Sequence, residues 1–283
     1  MSRRTLCLLV ALAVCGLGGS WLYVRVTDRS RVIDALISAG GKYEAPRPSF
    51  FDALFAKLSG NRPRGESVVL QGPQFDDEWL AAQNDLRQFD IRELFILDTR
   101  LSHSAVLRLI NQNSLDYLAA LGVPLTDADA AVLGGQEHLT RLILMRSELT
   151  DAGLAALQPQ RLQVLNVAGT RVTAAALKKE LMGGQLLHLA VDGHQFTPEL
   201  AAQIAQMRTL TMIALYGPDV TDAHVKLLEA MPNIRYFRLD QTSVSEDAVA
   251  ALRAARPAPV VIDVAPPAEV FFKWRTDQPA AAP

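Results

Sequence analysis

Through the middle of the chain the apolar residues fall on one repeating template. Counting Leu139 as position 0, the run LTRLILMRSELTDAGL is apolar at positions 0, 3, 5 and 10: Leu139, Leu142, Leu144 and Leu149. The same template fits from Ile91, Leu115, Leu162, Leu186, Leu210 and Ile234. The step between starts is 24 residues, except one of 23 that contains Pro159. A looser unit, SVVLQGPQFDDEWLAAQ, precedes the seven, and a stub, APVVIDV, follows them. Alternation at positions 3 and 5 predicts a short strand.

A small hydroxyl residue stands directly after position 10 in every unit: Ser102, Thr126, Thr150, Thr173, Thr197, Thr221 and Ser245. Asp76 fills the same place in the looser unit. These residue types cap helix N-termini, because the side-chain oxygen accepts an orphan backbone N–H. The apolar residue before the cap suits a hydrophobic staple to the fourth helical residue, as in Leu149 with Leu154. Asp127, Asp151 and Asp222 then fall in the first helical turn, where the helix dipole favours negative charge. Gly134-Gly135 and Gly183-Gly184 fall where helices should end. Each unit is thus one strand, one turn and one short helix. Neither element buries its apolar face alone, so the units must stack as a solenoid. Each helix is the crossover that parallel strands require.

LTRLILMRSELTDAGLAAL and LQVLNVAGTRVTAAAL resemble leucine-rich repeats, specifically the short ribonuclease-inhibitor-like units of bacterial members. The resemblance covers roughly residues 67–263. It implies an α/β solenoid with parallel strands on the concave face and helices on the convex face. One departure stands out. The Asn or Cys that many such repeats carry at position 8 is here Thr99, Val123, Ser147, Thr170, His194, Pro218 and Thr242.

The chain outside the repeats divides into three. Thr5 to Val24 is a 20-residue run without charge, preceded by Arg3 and Arg4, with Trp21 and Tyr23 inside it near one end. That length crosses a bilayer, so residues 1–26 read as a transmembrane anchor, with a cleaved signal as the alternative. Residues 27–66 read as a helical stem and cap, with Val32, Ile33, Leu36 and Ile37 as an apolar stripe stopped by Gly40-Gly41. Residues 264–283 are a Pro/Ala-rich tail around Val270, Phe271, Phe272 and Trp274, either folded back over the last unit or a partner-binding peptide. A single-pass membrane protein with an exported repeat domain is the expected location. Both cysteines, Cys7 and Cys15, fall inside the apolar run, so the exported part has no disulfide.

Charge narrows the function classes. There are 28 basic and 30 acidic side chains, net −2, with no basic run, which argues against nucleic acid. No phosphate-binding glycine loop or Cys-x-x-Cys motif is present. One cluster, His188, Asp192 and His194, is conceivable as a metal-dependent enzyme site. Three ligands on one strand and its turn rarely converge, and neither metal, cofactor nor catalysis is expected. Strand positions 2, 4 and 6 should face the concave side. They are rich in aromatic, Met and Arg residues, the types enriched at interfaces. The expected role is non-catalytic binding of a protein partner, through Phe95, Tyr117, Arg141, Met145, His188, Met212, Tyr216, Tyr236 and Arg238. The alternative is a structural envelope component acting through its stem and convex helices.

Overall fold

The computed structural model describes residues 29–45, 65–83, 86–256 and 261–263. The apolar run at 5–24 and the tail at 264–283 lie outside the described residues.

The chain forms an α/β leucine-rich-repeat solenoid. Its ten strands are β1 Lys42–Glu44, β2 Glu66–Gln71, β3 Ile91–Leu97, β4 Tyr117–Leu121, β5 Arg141–Ile143, β6 Val164–Asn166, β7 His188–Asp192, β8 Met212–Tyr216, β9 Tyr236–Asp240 and β10 Val261–Asp263. They follow one another across a single sheet in sequence order. β1 is antiparallel to β2, and all later neighbours are parallel. Helix α1 occupies 29–38. The repeat helices are α2 Asp77–Ala82, α3 His103–Gln112, α4 Asp127–Gly134, α5 Asp151–Ala156, α6 Ala174–Glu180, α7 Pro198–Ile204, α8 Asp222–Leu228 and α9 Glu246–Ala254. The 23-residue step carries a short 3-10 helix, Pro159–Arg161, in place of a longer return.

The strand register reproduces the sequence template. Glu93, Tyr117, Arg141, Val164, His188, Met212 and Tyr236 pair in one row, each at position 2 of its unit. Positions 0, 3, 5 and 10 are buried in one continuous core running between sheet and helices, from Val68 to Leu252; Val244 alone is only partly buried against it. At the start of the stack, α1 closes the open end of this core with Val32 and Leu36. Ile37, from the same stripe, is 56% exposed and takes no part. Gly41 explains the tight entry into β1: a Cβ there would lie 2.5 Å from Leu36 and 2.8 Å from the Val69 carbonyl. Arg29 pairs with Glu66 and stacks over Phe89, tying α1 to the sheet.

All eight expected capping residues precede helices. The first-turn aspartates do more than meet a dipole. Asp77 accepts from the Ser102 backbone N–H at 2.7 Å. Asp127 accepts from the Thr150 N–H at 2.8 Å and its hydroxyl at 2.6 Å. Asp151 holds Thr173 in the same two ways, and Asp222 holds Ser245. Each such aspartate therefore fastens its own helix start to the cap of the next unit. Where the first helical residue is not Asp, the link changes. His103 reaches forward to Asp129 at 2.6 Å, and Asp129 in turn accepts from Thr126. After Pro198 the next cap, Thr221, turns to His224 within its own helix.

In six of the seven units, position 7 turns the chain out of the strand in a left-handed conformation; Gly193 is the exception. Asp98, Gly122, Arg146, Gly169, Gly217 and Gln241 all have positive φ there. At Gly217, φ is +99° and an added Cβ would lie 2.7 Å from the Asp219 carboxylate. Gly217→Ala should lower stability by about 1–2 kcal/mol, read as a urea midpoint shift at constant m-value.

The inter-unit aspartates also set an acid limit. Hydrogen bonds from Ser102 hold the Asp77 carboxyl below its ordinary pKa, and those from Thr150 and Ser245 do the same for Asp127 and Asp222. A carboxylate whose pKa is depressed by folding stabilises above its unfolded pKa and loses that contribution as pH falls. Stability should therefore drop below about pH 4. Asp127→Asn should flatten that limb of a denaturant-midpoint-against-pH curve; an unchanged limb would show that the aspartate links carry no weight.

Candidate interaction surface

The parallel stack sets positions 2, 4 and 6 in rows on the face away from the helices. The second row runs Phe95, Ala119, Ile143, Asn166, Ala190, Ala214, Arg238. Small alanines beside large neighbours let the large side chains lean together. The result is a second apolar cluster, separate from the main core, that includes Phe95, Tyr117, Met145, Met212 and Tyr216, with Tyr236 packed against it.

Eight of the nine residues expected to bind a partner are brought together on this one face as strand residues; Met145 joins their cluster from the turn after β5. They are far less open than an interface read from sequence would suggest. Tyr117 is 4% exposed and meets Phe95 edge to face, with ring centroids 4.8 Å apart. Phe95, Met145, Met212 and Tyr216 are buried too. Arg141, His188 and Tyr236 keep partial exposure. Arg141 lies over the Tyr117 ring at 4.6 Å and pairs with Glu93 at 2.8 Å, so it is held in place rather than free to search.

The second half of the face carries buried charge. Arg238 is 2% exposed and donates from Nε to Asp240, itself fully buried, at 2.7 Å. Burial pushes the Tyr216 hydroxyl pKa up, and the neighbouring Asp240 carboxylate adds to the effect. Burial alone brings the His188 imidazole down to about 4, so it is neutral near pH 7. An apolar pocket opens between β5 and β9, walled by Ile143, Val164, Met212 and Tyr216, with Arg238 at one end. The position 4 polar residue Asn166 turns its carbonyl to the Ala168 N–H at 3.0 Å.

The cluster considered as a metal site is rearranged. His188 belongs to the concave row, whereas Asp192, His194 and Asp219 carry ligand atoms within 4.8 Å of one another. All three already serve the turn. His194 Nδ1 meets Asp192 at 2.6 Å, the Gly169 N–H donates to Asp192 at 2.8 Å, and the His194 N–H donates to Asp219 at 2.9 Å. Burial raises the Asp192 pKa, opposing these bonds. Sequence reasoning missed Asp219, which sits one unit further on with no template position of its own. It also missed Gln195. This fully buried side chain donates to the Val167 and Val172 carbonyls, both at 3.1 Å, and to Thr170 Oγ1 at 3.3 Å. Gln195 thereby satisfies acceptors of the preceding unit's turn from within the stack.

No known protein-family profile matches the chain, and neither does any curated protein sequence. Among solved structures, an internalin (inlF) from Listeria monocytogenes superposes at TM-score 0.39 with 14% identity. That match covers 64% of this chain and 50% of the internalin, so the chain spans half its length. Internalin C2 (inlC2) from the same organism gives TM-score 0.37 and 19% identity, covering 64% of this chain and 74% of that one.

Protonation of His188 offers a direct check on this burial. A histidine whose folded pKa is about 4 binds fewer protons than the unfolded chain between about pH 4 and its ordinary value of 6.5. Stability should fall as pH drops through that window, and His188→Gln should remove this part of the slope. Imidazole resonances in an NMR titration should show His188 neutral at about pH 5.5; a midpoint above 6 would mean that the ring is open to water.

Proposed function

We propose that this chain is a non-catalytic protein-interaction module that receives a protein partner on its concave face. One observation carries the reading: an in-register layer of aromatic, Met and Arg side chains on the sheet, indented by an apolar pocket with a guanidinium at one end. Apolar layers with a few anchored polar groups are the usual make-up of a binding surface. Arg141, His188 and Tyr236 are the points of first contact, because they alone of the nine keep solvent exposure. Phe95, Tyr117, Met145, Met212 and Tyr216 form the floor beneath them, and Arg238 fixes polarity at one end. In this reading the module is tethered to a membrane through residues 5–24, with the repeats exported. The uncharged 20-residue run supports that placement. Among the described residues no helix is long and apolar enough to cross a membrane.

The deep burial of the concave row favours a second reading, in which this layer is a packing core and the chain is a structural envelope component. A graded pair of substitutions separates the two. Arg141→Gln with Tyr236→Gln alters the exposed rim without setting a carboxylate against Glu93, and circular dichroism should show the fold retained. Cross-linked partner capture should fall about tenfold or more, as expected for loss of anchor residues. Unchanged capture by the folded double variant would favour the structural reading.

A further inference from the structure

Position 4 shrinks in the middle of the concave face. Along that row the register partners run Ile143, Asn166, Ala190, Ala214 and Arg238. Two alanines in succession make a low floor. Met212 and Tyr216 stand either side of Ala214 on β8 and rise above it as walls. Ile143 closes one end and Arg238 the other. The pocket is therefore a trough lying across the strands. Its floor spans one strand spacing, about 4.8 Å, which admits one side chain and not a helix.

The charges around the trough restrict what can enter. Arg238 is 2% exposed and gives Nε to Asp240 at 2.7 Å, so its charge is already matched by a buried carboxylate. Asp192, Tyr216 and Asp240 are register partners at position 6, which sets a second buried carboxylate beside the trough. His188 on β7 is neutral near pH 7, since burial brings its imidazole down to about 4. An anionic ligand would add a further carboxylate to a lining whose cation is spoken for, and a cationic ligand would meet the buried guanidinium. Arg238 Nη2 is nevertheless buried without a hydrogen-bond partner among the described residues. Leaving such a donor unsatisfied is costly. A neutral carbonyl oxygen satisfies it without adding charge.

We propose that the trough takes a single apolar side chain of a protein partner, phenylalanine or leucine in kind, with a neutral main-chain carbonyl beside it that accepts from Arg238 Nη2. This rests on the concave face being the binding surface. Ala214 and Arg238 are register partners on adjacent strands, about 4.8 Å apart. A side chain seated over Ala214 therefore brings its own peptide carbonyl to the Arg238 end. Met212, an unbranched thioether with three rotatable bonds, is the wall able to give way as the carbonyl arrives. Arg141 on β5 and Tyr236 on β9, both partly exposed, flank the trough at its two ends. The anchor thus sits at the centre of the proposed contact, where the side chains that dominate binding cluster.

The test titrates the full-length chain with fluorinated probes read by fluorine NMR line broadening. N-acetyl-para-fluorophenylalaninamide carries the ring and the carbonyl; para-fluorotoluene carries the ring alone. The amide should bind about tenfold more tightly than para-fluorotoluene, and about tenfold more tightly than its own free acid. Ala214→Met fills the floor and should weaken both neutral probes about tenfold. Ala190→Leu fills it from β7 and serves if circular dichroism shows Ala214→Met misfolded. Arg238→Met with Asp240→Leu replaces the ion pair as a unit, a change that buried pairs often tolerate, and should abolish the amide's advantage over para-fluorotoluene. An acid that binds as tightly as the amide overturns the proposal. So does an amide advantage that survives the ion-pair replacement, amide binding that a filled floor leaves unchanged, or no binding of either neutral probe. Partner capture separates this anchor from the broader reading. Capture lost in Arg141→Gln with Tyr236→Gln but kept in Ala214→Met overturns the anchor alone. Capture kept in the folded rim variant rejects the interaction reading itself.

Discussion

The structure depends on one constraint: no unit can hide its own apolar residues. Strand positions 3 and 5 and the staple residues of one unit are covered only by the same positions of the next, so burial is a property of neighbours. The core from Val68 to Leu252 is continuous because a spacing of 24 residues, with one step of 23, carries the template through seven starts. The ends then need separate solutions. At the beginning, α1 places Val32 and Leu36 over the exposed edge, and β1 pairs antiparallel to finish the sheet. β1 is only three residues long, and a very short edge strand leaves few open hydrogen-bonding groups for another chain.

Neighbour dependence also explains why polar groups are spent on joints between units. Position 8 holds neither Asn nor Cys in any of the seven units, and the joints are held in two other ways. Gln195 reaches the carbonyls of the preceding unit at one joint. Elsewhere the load moves to the helix side, where Asp127, Asp151 and Asp222 grip the next unit's cap. The exchange is not complete. Thr99 Oγ1 and Ser147 Oγ, both at position 8, are buried without a partner among the described residues.

How much was legible in the sequence follows from which interactions are periodic. The strands, the caps and the pairing register were readable because each unit repeats them, and one slipped residue would turn every apolar side chain outward. The aspartates were visible but half understood. Their position suggested the helix dipole, while the stronger bond goes to a hydroxyl 22 or 23 residues later. Gln195 and Asp219 were not readable, since each acts once, across a joint, with no second example to reveal a rule. Membership of the concave surface was readable from alternation. Its degree of burial was not, because alternation gives direction and says nothing about what lies over a side chain.

The charge buried at the end of that surface is where structure and role meet. An ion pair such as Arg238 with Asp240 seldom adds stability when buried, because desolvation offsets the attraction. One strand earlier the same two positions hold Ala214 and Tyr216, with no ion pair between them. What the pair provides is a fixed guanidinium: Asp240 occupies Nε, while Nη2 is buried without a hydrogen-bond partner among the described residues. The pocket beside it is walled mostly by apolar side chains, with Asn166 and His188 as its other polar lining, so under the proposed binding role an occupant that offers this nitrogen an acceptor is favoured over one that does not.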